Sequence, residues 1–194
     1  MTDDTRFARL VSLACHDVRT PLATVHGFAK TLARTGELGE PAASYVEMIG
    51  QASEQITELV DELGLAARIE AGRYEPTTRP TDTLELARAA AERLGADRVE
   101  VAGEGAEVRV DEVASERAVA ALARCALRHG GLERVGLTAN GPELAIAPIT
   151  PASAPVVLGE DLRDLGAAVA VKVVRALGGD VALAGETLIV RLPE

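Results

Sequence analysis

Aromatic residues and cysteines are scarce in this sequence. It contains no Trp, two Tyr and two Phe, so aromatics make up 2% of its 194 residues, although 47% are hydrophobic. The core must therefore be built from Ala, Val and Leu, a composition that favours helices and simple packing of helices on a sheet. The two cysteines, Cys15 and Cys125, are too few for a disulfide framework.

Long apolar runs and excess positive charge are absent too. A membrane-spanning helix needs about 18 apolar residues, and the best candidate, residues 165–177, is interrupted by Lys172 and Arg175. The sequence begins without a signal-peptide pattern, so we expect a cytoplasmic protein with no membrane span. Because nucleic acids and anionic membranes require a basic surface, the net charge of −10 argues against both as general partners.

The first 73 residues are predicted to form a helical hairpin, domain 1–73. One helix covers residues 5–34 and should bend at Pro21, and a turn containing Gly36, Gly39 and Pro41 leads to a second helix. Apolar positions of the second helix recur at a 3.5-residue period: Val46, Ile49, Ser53, Ile56, Val60, Leu63 and Ala67. A lone hairpin leaves apolar surface wet, so we expect a homodimeric four-helix bundle. The alternative is that the hairpin packs against the rest of its own chain.

Residues 74–194 are predicted to form an α+β sandwich, with helices covering one face of a sheet. Residues 74–80 indicate a short edge strand or linker, and a Pro/Ala-rich loop follows the fourth predicted strand. The predicted helices are 83–94, 112–128 and about 161–177, and the predicted strands are 98–102, 107–110, 134–139, 144–148, 180–184 and 187–192.

The candidate site lies in residues 15–22, which read C-H-D-V-R-T-P-L. We take the buried stripe of the first helix to be Val18, Leu22, Val25, Ala29 and Leu32. His16 and Thr20 then lie almost opposite this stripe and face water. Ala23 and Gly27 share the outer face and are small, so a partner's backbone can approach the imidazole there.

These residue types suit phosphoryl transfer. At neutral pH a free imidazole is largely uncharged and nucleophilic, and phosphorus is a natural electrophile for it. Asp17 can accept the proton of the second ring nitrogen and support the positive charge that develops. Thr20 can hold a water for the reverse, hydrolytic reaction. Arg19 is either a contact for a phosphoryl oxygen or a solvated surface charge.

The motif C-H-D-V-R-T-P-L, followed by A-T-V-H-G-F-A, resembles the H-box of two-component sensor histidine kinases, usually S-H-E-L-R-T-P-L. Residues 65–73, L-A-A-R-I-E-A-G-R, are similar to the end of that family's second dimerisation helix. The resemblance implies that His16 is the phospho-acceptor, Asp17 its acid/base partner and Thr20 part of the phosphatase motif. It also implies a dimeric bundle and receiver-domain partners.

Residues 74–194 resemble the family's ATP-binding domain in layout but depart from it at the nucleotide motifs. Cys125 stands where an asparagine should hold magnesium, and Ala121 replaces an earlier asparagine. Residues 149–155, I-T-P-A-S-A-P, replace the adenine-reading motif, and Gly166 is the one glycine of the phosphate-binding pattern, in a different slot. We therefore expect a degenerate kinase-ATPase-like domain without ATP or magnesium, the magnesium being carried by the receiver partner.

Cys125 and His129 are four apart on a predicted helix and can be read as half a metal site. Because no second pair occurs at ligand spacing, we favour a buried cysteine and a helix-terminal histidine, with no metal. Gly103 and Gly105 lie between strands and do not open a helix, so they are not a phosphate loop.

These observations predict a histidine phosphotransferase of a phosphorelay, which exchanges phosphate on His16 with aspartates of receiver domains and does not use ATP. One alternative is a divergent sensor histidine kinase or phosphatase that still uses ATP. Another is a non-catalytic scaffold that binds a receiver.

Overall fold

A computed structural model describes residues 3–35, 38–95 and 97–193. Its contacts divide the chain into two compact units, Met1–Arg73 and Tyr74–Glu194. The predicted α+β architecture, a helical hairpin followed by a sheet with helices, is confirmed. Within the described ranges no helix combines the length and the apolarity needed to cross a membrane.

The first unit is a hairpin of two long helices, α1 (Asp3–Thr35) and α2 (Ala42–Glu70). Helix α1 continues through Pro21 without a break, and the bend expected there stays a prediction. Pro41 lies at the position preceding α2 rather than inside its first turn. Gly36, expected in the turn, lies outside the described residues.

The buried stripe expected for α1 is only partly correct. Ala29 is buried and Leu22 is half-buried, but Val18, Val25 and Leu32 are each 45–46% exposed. The residues of α1 that are shielded from solvent recur every seven positions: Ala8, Cys15 and Ala29 are buried and Leu22 is half-buried. The prediction left out Ala8 and Cys15. A single hairpin covers one flank of an apolar stripe, and the other flank stays open.

The three-four pattern of α2 divides in the same way. Ser53 and Ala67 are buried, whereas Ile49, Ile56 and Leu63 are 42–48% exposed. The exposed series of α2 therefore has the same seven-residue spacing as the exposed series of α1. Each helix carries one apolar series inside the hairpin and a second one outside it.

The second unit is a sandwich of helices and a sheet. Its helices are α3 (Thr83–Glu92), α4 (Glu112–Gly130), α5 (Ala154–Val157) and α6 (Leu165–Ala176). Its strands are β1 (Arg79–Asp82), β2 (Val99–Gly105), β3 (Glu107–Val110), β4 (Val135–Gly141), β5 (Glu143–Ala147), β6 (Asp180–Ala184) and β7 (Thr187–Arg191). The main sheet has the order β2-β4-β5-β7-β6, parallel between β2 and β4 and antiparallel elsewhere, and β1 pairs with β3 in a separate two-stranded ladder.

The predicted elements of this unit are present, with two additions. The segment expected to be an edge strand or linker is a strand from Arg79, one of whose four residues faces the interior. The Pro/Ala-rich loop contains the short helix α5. The last predicted helix begins at Leu165 rather than near Asp161, because Asp164 caps it there.

Aspartates determine where the three longer helices of this unit begin. The side chain of Asp82 accepts hydrogen bonds from the second and third backbone N–H groups of α3. Asp111 caps α4 through the N–H of Ala114, and Asp164 caps α6 through the N–H of Ala167. An aspartate at this position satisfies a donor that has no partner within the helix and complements the helix dipole.

Glycine is required within β2 for a packing reason. Gly103 has a φ of 97°, and a Cβ at this position would overlap the carbonyl oxygen of Ala139 on the neighbouring strand β4. Its place in the parallel ladder therefore explains this glycine. The prediction that Gly103 and Gly105 lie between strands is wrong, because β2 continues to Gly105.

Candidate functional site

His16 projects from α1 into solvent. Its side chain is 76% exposed, and its Nδ1 lies 3.2 Å from Oδ1 of the adjacent Asp17. A carboxylate at this distance favours the tautomer in which Nδ1 carries the proton, because the carboxylate can only accept. The lone pair of Nε2 is then available to an electrophile, and the residue types that the motif placed together are in contact.

Arg19 is held by the hairpin itself. Its Nη2 lies 2.6 Å and its Nε 3.1 Å from Oδ1 of Asp61 on α2, and the two side chains are 42% and 39% exposed. Neither of the two readings of Arg19 from the sequence included this partner, which is 42 residues away. The ion pair joins α1 to α2 beside the candidate nucleophile, so Arg19 is positioned before any phosphoryl group approaches. Its docking role stays a prediction.

The remaining predicted site residues lie along the exposed side of α1. Thr20, Ala23 and Gly27 are all exposed. A Cβ built on Gly27 would meet no atom within 4 Å, so packing inside the chain does not require glycine there. A smooth, small-residue surface therefore continues for about three turns from His16, which is compatible with close approach of a partner.

A second histidine of α1 has a different environment. The side chain of His26 is 23% exposed, and its Nε2 lies 3.6 Å from Oε1 of Glu54 on α2. Within the part of the chain that the structure describes, its Nδ1 is buried without a hydrogen-bond partner. His26 thus faces into the hairpin, and it offers a matched comparison for the exposed His16.

In the second unit, the residue at the position where the family pattern has a magnesium-binding asparagine is buried. Cys125 lies on α4 and has no exposed surface. Burial, and next the nearby Asp164 carboxylate, raise the pKa of the Cys125 thiol to about 12. The unliganded thiol is therefore protonated at neutral pH, which makes it a poor nucleophile.

Asp164 connects this position to the start of α6. Its Oδ1 accepts a hydrogen bond from the N–H of Ala167 at 3.0 Å, and its Oδ2 lies 3.1 Å from Nε2 of His129. The side chains of His129 and Asp164 are 17% and 14% exposed. Donor atoms of Cys125, His129 and Asp164 all lie within 4.8 Å of one another.

Sequence reasoning missed Asp164. From the sequence, only Cys125 and His129 could be identified as neighbouring metal ligands, because they are four residues apart on one helix. No further pair of ligands occurs at such a spacing. The third group is 35 residues from His129. An aspartate directly before the apolar run of α6 is an N-cap pattern, and it would have placed this carboxylate at the helix terminus, although not beside His129.

The hairpin is similar in sequence to known proteins. A family model for the His Kinase A (phospho-acceptor) domain matches residues 8–72, which is nearly the whole hairpin. The probable sensor histidine kinase TcrY of Mycobacterium tuberculosis is 36% identical over 85 residues, which are 43% of this chain and 18% of that protein. Residues 8–72 are thus similar to the phospho-acceptor domain of two-component histidine kinases.

Two further comparisons extend the similarity to the second unit. The histidine protein kinase DivJ of Caulobacter vibrioides is 29% identical over 172 residues, 82% of this chain and 28% of DivJ. The crystal structure of full-length ShkA in complex with AMPPNP aligns with 94% of this chain and 44% of its own, at a TM-score of 0.69 and 23% identity. The second unit thus has a fold that resembles a histidine kinase ATPase domain. The chain spans less than a third of the length of the curated relatives named here.

Proposed function

We propose that this chain is a histidine phosphotransferase of a two-component phosphorelay. His16 accepts a phosphoryl group from the phosphoaspartate of one receiver domain and donates it to the aspartate of another, without ATP. The observation that carries this proposal is the contrast between the two units. The exposed His16 is paired with Asp17, whereas in the second unit a carboxylate occupies the end of α6 where the family pattern places phosphate-binding glycines.

The transfer step follows from the His16–Asp17 geometry. Nε2 of His16 attacks phosphorus, the bond between phosphorus and the receiver's carboxylate oxygen breaks, and the receiver aspartate leaves as a carboxylate. The ring becomes positively charged and keeps its proton on Nδ1, which the Asp17 carboxylate stabilises from 3.2 Å. In the reverse direction a receiver aspartate attacks the same phosphorus, and the neutral imidazole leaves.

Three features of the second unit support a loss of nucleotide binding. Cys125, which replaces the asparagine, is a buried thiol and a weak ligand for magnesium, which prefers oxygen. The Asp164 carboxylate already accepts the Ala167 N–H, and its negative charge opposes a phosphate at that helix end. Ala167 is itself buried, so its methyl group occupies space that a glycine would leave to a ligand. These residues do not fit a magnesium–nucleotide complex, and the proposal assigns it no step.

A homodimer is part of this proposal. The outer apolar series of the hairpin consists of Val18, Val25, Leu32, Ile49, Ile56 and Leu63, each 42–48% exposed. Their seven-residue spacing on both helices is the arrangement that buries apolar side chains in a four-helix bundle. A second hairpin placed on this seam covers it and leaves the opposite, His16-bearing side of α1 open to receivers.

The relatives favour a second candidate, an ATP-dependent histidine kinase. TcrY and DivJ are both named as kinases. In that case the second unit would bind ATP through contacts other than the family's usual asparagine and glycines, and would phosphorylate His16 directly. The two candidates differ in the source of the phosphate, so one labelling experiment separates them.

The test uses the purified full chain and two phosphate sources. A receiver domain carrying radiolabelled phosphoaspartate is expected to label the chain, and His16→Gln is expected to abolish the label. His26→Gln is the matched control, since it changes a histidine on the same helix that faces inward, and it should retain the label. Labelled ATP with magnesium should leave the chain unlabelled.

Label from ATP on His16 without a donor protein would establish the kinase alternative. If the receiver binds the chain but transfers no phosphate to the wild type, the chain is a receiver-binding scaffold. A His16→Gln variant that still takes up label from the receiver would contradict the assigned nucleophile.

A further inference from the structure

Three metal-ligating side chains converge between two helices of the second unit. Cys125 and His129 lie on α4, and Asp164 immediately precedes α6. Their donor atoms all lie within 4.8 Å of one another, and Nε2 of His129 is 3.1 Å from Oδ2 of Asp164. A thiol, an imidazole and a carboxylate within this distance form a donor set suited to one metal ion.

The backbone holds these three groups in place independently of a metal. Cys125 and His129 are four residues apart on α4, so their side chains extend from the same helix face. Asp164 is fixed by its cap on α6, where Oδ1 accepts the Ala167 N–H at 3.0 Å. The cap uses only Oδ1 and orients the carboxylate. Oδ2 can therefore exchange its hydrogen bond with Nε2 of His129 for a metal ion, the ring proton then being on Nδ1.

The spacing matches a tetrahedral ion. Ligands at about 2.1 Å from a zinc-sized ion lie about 3.4 Å apart in a tetrahedron. The 3.1 Å between Nε2 of His129 and Oδ2 of Asp164 is close to that edge. Sulfur binds zinc at about 2.3 Å, so a thiolate ligand lies about 3.6 Å from the other two. Sγ of Cys125 lies within 4.8 Å of both atoms, so it approaches them by at most about 1.2 Å when one ion binds all three.

The charge and softness of the ligands select the class of ion. A thiolate and a carboxylate supply two negative charges, which balance a divalent cation in a largely buried site. Sulfur and imidazole nitrogen favour borderline ions such as Zn²⁺ and Co²⁺ over Mg²⁺ and Ca²⁺. Arg128 and Arg163 both lie near Cys125, where their positive charge favours the thiolate. The charge of Arg163 is also paired with Asp161 at 2.7 Å.

We propose that Cys125, His129 and Asp164 form a three-ligand site for a borderline divalent transition-metal ion of the zinc class. Cys125 is fully buried, whereas His129 and Asp164 keep 17% and 14% exposure, so a fourth position faces outward for water. Binding displaces the thiol proton to solvent as Sγ becomes a ligand. The site joins α4 to α6 at the positions where the family pattern would place magnesium and phosphate contacts. It does not depend on the proposed relay function.

The experiment uses Co²⁺ as a spectroscopic probe with the full chain, reduced by a phosphine and treated with chelator beforehand. Wild-type protein is expected to bind one Co²⁺ with a thiolate-to-cobalt charge-transfer band and the intense visible bands of tetrahedral cobalt. Zn²⁺ should displace it and abolish both signals. A wild-type protein that shows no charge-transfer band in excess Co²⁺ would overturn the proposal, whatever the variants do.

Variants assign the ligands. Cys125→Ser should abolish the charge-transfer band, and Cys15→Ser, which changes the other buried cysteine, should retain it. Asp164→Asn can still cap α6 but lacks the carboxylate charge, and it should weaken Co²⁺ binding by at least about 10-fold. His129→Gln should do the same, with far-UV circular dichroism used to verify folding. A band that survives Cys125→Ser and disappears in Cys15→Ser would also refute the site.

Discussion

Asp164 gives the sharpest test of how the second unit is held together. Its carboxylate caps α6 and contacts His129 with its two separate oxygens, at 3.0 and 3.1 Å. Replacing a capping aspartate by alanine costs about 1 kcal/mol, and losing a hydrogen bond to a charged group costs about 1.5 kcal/mol more. Asp164→Ala should therefore destabilise the start of α6 by about 2.5 kcal/mol, whereas Asp164→Asn keeps the cap and should lose about 1.5 kcal/mol.

Hydrogen exchange measures the stability of α6 separately from that of the hairpin, which is needed because the chain has two units. At about 1.4 kcal/mol per tenfold, amides of α6 should exchange about 60-fold faster in Asp164→Ala and about 12-fold faster in Asp164→Asn. The protein is kept in chelator so that a bound metal contributes nothing. Peptides from α1 and α2 serve as an internal reference, because they belong to the other unit.

Asp161→Ala is the matched control for the aspartate. Asp161 lies three residues before Asp164, and its replacement removes a surface ion pair with Arg163. Surface pairs of this kind contribute less than about 1 kcal/mol. Equal effects of the two Asp164 substitutions would refute the separate contribution of the cap. An effect of Asp164→Ala below about twofold would refute the packing argument as a whole.

Three further predictions concern the hairpin. The proposed homodimer should sediment as a dimer in analytical ultracentrifugation, and Ile56→Glu should sediment as a monomer, because it places a charge on the outer apolar seam. A still dimeric variant would contradict this seam as the interface. Asp17→Asn should slow phosphoryl transfer from a receiver by about 100-fold, measured by rapid quench, and an unchanged rate would remove Asp17 from the mechanism. Gly27→Leu should leave the helicity intact, since a Cβ meets no atom within 4 Å, but should weaken receiver binding in calorimetry, with Gly27→Ala as control; equal affinity for the two variants would exclude this face from docking.

Variants of Arg19 and Asp61 distinguish a structural role of Arg19 from a role in phosphoryl transfer. A double-mutant cycle should give a coupling of at most about 1 kcal/mol, since both partners are roughly 40% exposed. If Arg19 also contacts the phosphoryl group, Arg19→Ala lowers the transfer rate more than Asp61→Ala does. Equal effects on transfer would indicate that the pair acts through the hairpin alone.

Much of this architecture follows from local patterns in the chain. The three-four spacing of apolar residues predicts both hairpin helices, and strand signals predict the consecutive strands β4 and β5 and the closing strands β6 and β7. The parallel pairing of β2 with β4 was not predicted. The phase of α1 places His16 away from the apolar stripe, and the structure shows it exposed. These features depend on neighbours a few residues apart, because helical and extended periodicity is a local property.

The division of the apolar stripe could not be read from the same patterns. Cys15 and Ala29 are buried in the hairpin, while Val18 and Val25 are nearly half exposed, although all four belong to one apolar region of α1. Periodicity identifies the apolar side of a helix, but it does not say which part of that side one neighbour covers. That depends on how α2 lies against α1.

The sequence alone determined the helical hairpin, the outward-facing histidine with its adjacent acid, and the missing nucleotide motifs, because each is carried by residues close together in the chain. Tertiary structure decided the contacts between distant residues: Arg19 with Asp61, and Asp164 with His129 and Cys125. In each case two helices must pack before the side chains meet. The proposed metal site between α4 and α6 is therefore visible only once the chain is folded.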